Sequence, residues 1–179
     1  SSTEQIHNEI EKTMKIETLV NLSSGSVFTV GPFKNTGPIP PKVGQETTYT
    51  IVWTVKNTSN DIRNAVVTAT LPVYLKWLGV IEPLSENVVF KPGSREISWN
   101  IGNIPAGTGV FSLPRQLSFQ VSLTPSLSQL RQPVNLLSET NFSAEDTFTN
   151  TTVSAKVKGV DTTVAADPSA EQIGSLVTE

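Results

Sequence analysis

The sequence contains no cysteine, one histidine and a small share of charged residues, and each shortage excludes a class of function. Without cysteine, a disulfide scaffold, a thiolate metal site and a cysteine nucleophile are all excluded. With His7 as the only histidine, a metal site made of several imidazoles is excluded as well. Charged residues make up 16% of the 179 residues and the net charge is −3, so neither nucleic acid nor an anionic membrane is expected as the main partner.

Signatures of membrane helices and of enzymes are also missing. No apolar run approaches the roughly 20 residues that a membrane helix needs, so we expect no direct membrane insertion. The sequence has no Walker loop, dinucleotide fingerprint or nucleophile elbow. Glu139, Glu145 and Asp146 form the nearest acidic cluster, but no Asp-x-Asp-x-Asp spacing for calcium accompanies them. We therefore expect no enzymatic activity, no cofactor and no metal, and calcium is the alternative that stays open.

What the sequence has instead is a polar surface of Thr, Ser and Asn and a set of alternating apolar residues, as is usual in secreted β-proteins. The clearest central strand is 46–57, in which apolar and Thr residues alternate. Two further segments, 95–101 and 115–123, alternate in the same way, and Gly, Pro and Asn turns separate the strands. This spacing predicts an all-β, immunoglobulin-like antiparallel sandwich. Its predicted core residues are Tyr49, Ile51, Trp53, Val55, Ile97, Trp99, Leu117, Phe119 and Val121.

The two ends of the chain differ in composition from this central region. Residues 1–37 are predicted to form an N-terminal extension, with a short amphipathic helix in residues 1–14 and one or two strands after it. Residues 38–160 are predicted to form the sandwich, and residues 161–179 a C-terminal tail. For the tail, a linker, a short helix and an added strand all remain open.

Two stretches carry a resemblance to a known family. Pro40–Pro72 (PPKVGQETTYTIVWTVKNTSNDIRNAVVTATLP) has a Tyr-bearing strand that ends in an Asn-Thr turn, followed by an A-V-V-x-x-x-L-P strand. Arg95–Gly109 (REISWNIGNIPAGTG) adds a W-x-I-G-x-I element. In this order, the three elements resemble the Ig-like domains, long listed as of unknown function, that repeat in large bacterial and archaeal cell-surface proteins. The resemblance implies an extracellular sandwich used as a stalk or assembly module, without an assigned enzymatic activity.

The hypothesis for function is a non-catalytic structural or assembly module of an extracellular cell-surface protein or filament. Its expected partners are neighbouring copies of itself or adjacent modules, and assembly through exchange of a terminal strand is one route. The alternative for the termini is that both fold back on their own domain. The residues predicted for an exchanged strand are Ile16, Leu19, Val20, Ile173 and Val177.

Three further features leave other roles open. Trp77 lies in an irregular apolar stretch and is the predicted surface contact of an adhesin-type ligand- or carbohydrate-binding module, which is the alternative function. Lys56 and Asn150 are the pair considered for an isopeptide crosslink, although Lys56 lies on the solvent face of its strand. Four Asn-x-Ser/Thr sequons leave glycosylation open, at Asn21, Asn57, Asn141 and Asn150.

Overall fold

The chain folds as an all-β protein, because its β-branched and aromatic residues alternate with polar ones along most segments. A computed structural model describes residues 14–179. His7 and the helix predicted for residues 1–14, except for its last residue, therefore lie outside the described residues. The strands are β1 (Val20–Val27), β2 (Thr47–Asn57), β3 (Ile62–Thr70), β4 (Leu75–Glu82), β5 (Asn87–Lys91), β6 (Glu96–Ile104), β7 (Arg115–Leu123), β8 (Asn135–Leu137), β9 (Thr140–Asp146), β10 (Thr152–Val157) and β11 (Val160–Asp161). A 3-10 turn, Leu127–Gln129, follows β7.

Two antiparallel sheets make the sandwich. One has the order β1-β2-β7-β4 and the other the order β10-β9-β3-β6-β5, while β8 and β11 form a small separate ladder. The first three strands of each sheet occupy the places of strands A-B-E and G-F-C of an immunoglobulin domain. The predicted immunoglobulin-like antiparallel sandwich is therefore confirmed.

The core lies between the inner faces of the two sheets. In the first sheet, Trp53 is paired with Leu117 and Ile51 with Phe119. The rings of Trp53 and Phe119 meet edge to face at 5.0 Å, an arrangement that favours aromatic packing. All nine residues predicted for the core have side chains with 0% solvent exposure: Tyr49, Ile51, Trp53, Val55, Ile97, Trp99, Leu117, Phe119 and Val121.

Two segments differ from what their residue patterns indicate. The stretch around Trp77, which is ambiguous between helix and strand in the sequence, is the edge strand β4. Strand β1 belongs to the sandwich although it precedes residue 38, and all eight of its residues are paired with β2. Its polar centre, Ser23-Ser24-Gly25, hides the alternation. Gly25 packs closely on the C-terminal segment, and a Cβ added to Gly25 would lie 2.7 Å from the Cβ of Ala166.

The connections between strands collect at two opposite poles of the sandwich. One end, which we call the N-terminal pole, consists of the connections 58–61, 105–114 and 147–151 and of residues 14–19. We call residues 14–19 the lead-in segment. The other end, which we call the C-terminal pole, consists of the connections 28–46, 71–74, 92–95 and 124–134 and of the last residues of the chain. The chain therefore runs from one pole of the sandwich to the other.

Candidate functional site

The lead-in segment is attached to the N-terminal pole by polar contacts. Thr18 is buried at 6% exposure, and its hydroxyl donates to Oδ1 of Asn57 at 2.7 Å. Its backbone N–H donates to Oδ2 of Asp146 at 2.8 Å. The neighbouring Leu19 exchanges hydrogen bonds with Thr58, through the Leu19 N–H to Oγ1 and the Thr58 N–H to the Leu19 carbonyl. One buried threonine thus fixes the direction in which the chain enters the sandwich.

Asp146 is the anchor of this pole. Its side chain has no exposure and accepts from Asn60 Nδ2 at 2.8 Å in addition to Thr18. The N–H groups of Phe148 and Thr149 donate to its other oxygen at 2.9 and 3.1 Å. Burial raises the pKa of Asp146, but these hydrogen bonds outweigh that effect and hold its pKa well below the usual range. The carboxylate therefore stays charged and joins the lead-in segment to the β9–β10 turn.

The apolar side chains of the lead-in segment are not used in this attachment. Met14, Ile16 and Leu19 are 77%, 73% and 70% exposed. Ile16 and Leu19, two of the residues predicted for an exchanged strand, thus face solvent. Val20, a third, is the first residue of β1 and is paired with Asn57.

The C-terminal segment, residues 161–179, is attached to its own domain by apolar burial. It forms successive turns and covers one side of the core, in which Val164, Ile173 and Val177 are at most 6% exposed. Val177 pairs with Leu130, and Thr178 pairs with Lys42 in a parallel bridge. Ile173 and Val177, the C-terminal residues predicted for an exchanged strand, are therefore buried in the core of their own chain.

A second buried carboxylate fixes this segment. Asp167 is 4% exposed, and its Oδ2 accepts from the N–H groups of Phe28 and Thr29 at 2.7 and 2.6 Å. Its Oδ1 accepts from the Thr29 hydroxyl and from the Ser169 N–H. Burial raises the pKa of Asp167, yet the hydrogen bonds dominate and lower its pKa to about 2. Asp167 thus ties the C-terminal segment to the chain just after β1.

The connection between β6 and β7 also presents exposed large apolar side chains at the N-terminal pole. Val110, Phe111 and Leu113 are 56%, 93% and 87% exposed. The loop that carries them is nevertheless ordered, since Thr108 is buried and the N–H of Phe111 donates to the Gly107 carbonyl. Gly107 and Gly109 have φ angles of +77° and +81°, in the left-handed region that glycine adopts most easily, and they allow the chain to turn here. An open cavity of about 440 Å³ lies beside Phe111 and is lined by Thr58, Ser59, Ala106, Gly107 and Val110.

The C-terminal pole exposes a second group of apolar side chains. Val73 and Leu127 are 82% and 73% exposed, and Leu176 is 48% exposed. Leu127 begins the 3-10 turn, and the N–H of Leu130 at its end donates back to the Leu127 carbonyl. Because Leu130 pairs with Val177, this turn and Leu176 lie beside each other.

Trp77, the predicted surface contact, is half-buried and packs against the core. Its ring stacks on Phe90 at 5.7 Å and 23° and lies 5.3 Å from the ring of Phe119. It therefore extends the core between the two edge strands β4 and β5. Trp77 lies opposite the core residue Val121 and two residues after the buried Leu75, so it shares their inward face. The bulge that follows, between Trp77 and Ile81, interrupts the alternation and hides this strand in the sequence.

An ion pair joins the two sheets next to these edge strands. Arg115, at the start of β7, donates to both carboxylate oxygens of Glu86 at 2.6 and 2.8 Å. The indole Nε1 of Trp99 in β6 donates to the same carboxylate at 2.7 Å. Glu86 is only 11% exposed, so this pair holds the sheets together in a partly desolvated place. No residue pattern pointed to it.

The remaining candidate residues are separated by the fold. Asn57 is buried, and its Nδ2 contacts the carbonyls of Asn60, Ile104 and Pro105, so this sequon cannot accept a sugar. Of the other sequons, Asn21 and Asn150 are exposed and Asn141 is half-buried. Lys56 and Asn150 are both exposed, so neither has the buried surroundings expected of an internal crosslink.

Residues 14–179 contain neither a cluster of metal-ligating side chains nor a membrane-spanning helix. Within this part of the chain, no group of three or more His, Cys, Asp or Glu residues lies close enough together to hold a metal ion. In the same residues, no helix is long and apolar enough to span a membrane.

Comparisons with known proteins find similarity of fold. No protein-family model matches the sequence, and no curated protein sequence matches it. The chain is similar to the major pilin subunit BcpA of Bacillus cereus, with 9% identity, a TM-score of 0.47, and coverage of 79% of this chain and 40% of that chain. It is similar to the full-length major pilin SpaD of Corynebacterium diphtheriae, with 11% identity, a TM-score of 0.48, and coverage of 80% and 34%. A GH20 exo-β-N-acetylglucosaminidase of Vibrio harveyi has 12% identity, a TM-score of 0.39, and coverage of 78% and 18%. The chain spans less than half the length of each of these three.

Proposed function

We propose that this chain is a non-catalytic structural module of an extracellular cell-surface protein or filament, with copies of itself or adjacent modules as its partners. The observation that carries the proposal is the course of the chain, which is anchored at the N-terminal pole through Thr18 and at the C-terminal pole through Thr178. A force applied through these two anchors crosses the full length of the sandwich. The neutral Thr, Ser and Asn surface and the resemblance to Ig-like surface repeats also support an extracellular place.

The ladder between β1 and β2 lies on the path of such a force. It runs over eight residue pairs, from Val20 with Asn57 to Val27 with Thr50. A pull on the lead-in segment acts along β1, whereas a pull on Thr178 acts through its hydrogen bonds with Pro41 and Val43, just before β2. The two strands are then loaded in shear. All the ladder hydrogen bonds resist together, whereas a sideways pull would break them one after another.

Strand exchange between copies is one way in which such modules assemble, and the lead-in segment is its better donor. Release of the C-terminal segment would expose Ile173 and Val177, whose burial stabilises the sandwich. Ile16 and Leu19 are already exposed, so their transfer to a neighbour loses no burial. Among the described residues, β1, β4, β5 and β10 are the edge strands of the two sheets. Because β1 and β10 lie beside each other, the edges of β4 and β5 are the proposed acceptors for an added strand.

Single-molecule pulling tests the proposed load-bearing role. The chain is placed between marker domains and stretched through residues 1 and 179. The control is stretched through residue 1 and Ser112→Cys, so that both pulls reach the sandwich at its N-terminal pole, through the lead-in segment and through the β6–β7 connection. We expect a higher unfolding force in the first geometry, because the control peels β1 from Val20 onward. Equal unfolding forces in the two geometries would contradict the proposal.

A further inference from the structure

We propose that the two poles bind each other between copies of this chain, so that residues 105–114 of one copy, which we call the Phe111 loop, pack on Val73, Leu127 and Leu176 at the C-terminal pole of the next. This inference rests on the proposed function and names its contact surface. The occupant of each pole is a second copy of this chain in the same orientation. A contact of this kind is heterologous, and it continues into a linear array because it does not close on itself.

The first support is the chemistry of the two surfaces. The loop 105–114 (PAGTGVFSLP) contains no charged residue. At the other pole, 71–75 (LPVYL), 122–130 (SLTPSLSQL) and 172–178 (QIGSLVT) contain none either. Exposed charges border these segments, with Asp61 bonded to the N–H of Ala106 at one pole and Arg131 and Glu179 next in sequence at the other. Contact between the uncharged segments buries apolar side chains and leaves these charges at the rim, where they stay solvated.

The second support is the preorganisation of the Phe111 loop. Phe111 is 93% exposed, yet its backbone is held by hydrogen bonds to Gly107, and the N–H of Asn57 in β2 donates to the carbonyl of the buried Thr108. A side chain on a rigid loop loses little conformational entropy when it binds. The receiving side is similarly fixed, because the Leu127 turn and Leu176 are held together by the pairing of Leu130 with Val177.

The third support is the direction in which the two poles face. The lead-in segment and the Phe111 loop lie at the same pole and share Thr58, whose N–H donates to Leu19 and whose carbonyl accepts from Gly107. The C-terminal residues Leu176 and Thr178 lie at the opposite pole. The contact surfaces therefore lie on the same axis as the anchored ends of the chain, so contact between copies continues the line along which the module would carry force.

Cysteine crosslinking tests the contact directly, because the protein has no cysteine of its own. Ser112→Cys marks the N-terminal pole, Ser128→Cys the C-terminal pole, and Ser85→Cys an exposed site on the side between β4 and β5. Each change is nearly isosteric and leaves Phe111 and Leu127 in place. Equimolar mixtures of two variants are oxidised at high protein concentration, and the disulfide-linked dimers are quantified by mass.

We expect the S112C–S128C heterodimer to exceed the S112C–S85C heterodimer by fivefold or more. Phe111→Ser, introduced into the S112C variant, should remove this excess, whereas Leu84→Ser, at an 81% exposed site on the side, should leave it unchanged. Both serine variants should keep the thermal midpoint of the parent, since neither position is part of the core.

Equal yields of the two heterodimers, or a preference for S112C homodimers, would overturn the head-to-tail contact. The pulling experiment is independent of this result, because it measures one chain at a time. A module that resists force between its poles but shows no preferred crosslink would keep the proposed function and lose this contact.

Discussion

The lead-in segment and the C-terminal segment both mix apolar and polar residues at the edge of the same sandwich, but they are attached by different physics. The lead-in segment is held by hydrogen bonds of the buried Thr18 and of the backbone of Ile16 and Leu19, and it leaves the side chains of Met14, Ile16 and Leu19 in solvent. The C-terminal segment buries Val164, Ile173 and Val177 against the core. Hydrogen bonds give the first a direction, and apolar burial gives the second its stability. Similar composition therefore does not imply a similar attachment.

The largest expected difference comes from removing the apolar side chains of each segment. We expect the double variant Ile173→Ala/Val177→Ala to lower the free energy of unfolding by about 3–5 kcal/mol, because it removes buried groups and leaves cavities. The matched variant Ile16→Ala/Leu19→Ala should change it by no more than about 0.5 kcal/mol, since both side chains are exposed. Urea denaturation measures both. Similar losses in the two variants would break the distinction between the segments.

The next largest effect concerns the two carboxylate anchors. Asp146→Asn and Asp167→Asn should each lower the free energy of unfolding by about 1–3 kcal/mol, because an amide NH₂ group replaces an acceptor of buried donors. The local effects should differ. In hydrogen exchange, Asp146→Asn should expose the N–H of Thr18, and Asp167→Asn those of Phe28 and Thr29. Unchanged protection at these amides would show that the carboxylates do not hold the segments.

Acid should lower the stability that both carboxylate anchors contribute. An Asp in the unfolded chain has a pKa of about 3.9, whereas the folded pKa of Asp167 is about 2 and that of Asp146 is also lowered. Between these values the unfolded state binds more protons, so stability is full above about pH 5 and falls as the pH drops toward 2. Denaturation series at pH 7, 5, 3 and 2.5 check this, and either Asp→Asn variant should show a shallower fall than the parent.

The smallest effect is expected from calcium. Each oxygen of Asp146 and Asp167 already accepts two hydrogen bonds from the protein, so these two carboxylates have little to offer a cation that needs six to eight oxygens. The thermal midpoint should agree within about 1 °C in EDTA and in millimolar calcium. A rise of several degrees in calcium would mean that one anchor exchanges its amide partners for a metal.

Which strands form the sandwich was predictable where side chains alternate without interruption. In β2, β6 and β7 the inward residues follow from period two, because successive side chains of a strand point to opposite faces. The bulged strand β4 and the Ser-Gly centre of β1 break that period, so the place of Trp77 and the role of β1 did not follow from it. The candidate surfaces were predictable only in part, since the exposed residues of the lead-in segment could be proposed but the Phe111 loop could not.

By itself, the sequence determined the fold class and the inner faces of the central strands, since both depend on residues that are neighbours in the chain. Only the tertiary structure decided how the two ends are attached. Thr18 meets Asp146 across 128 residues of sequence, and Phe28 meets Asp167 across 139. Local periodicity contains no information about such pairs, because they form only when the sandwich brings distant turns to the same pole. The same distance in sequence explains why Ile173 and Val177 have the pattern of an added strand and yet complete the core of their own chain.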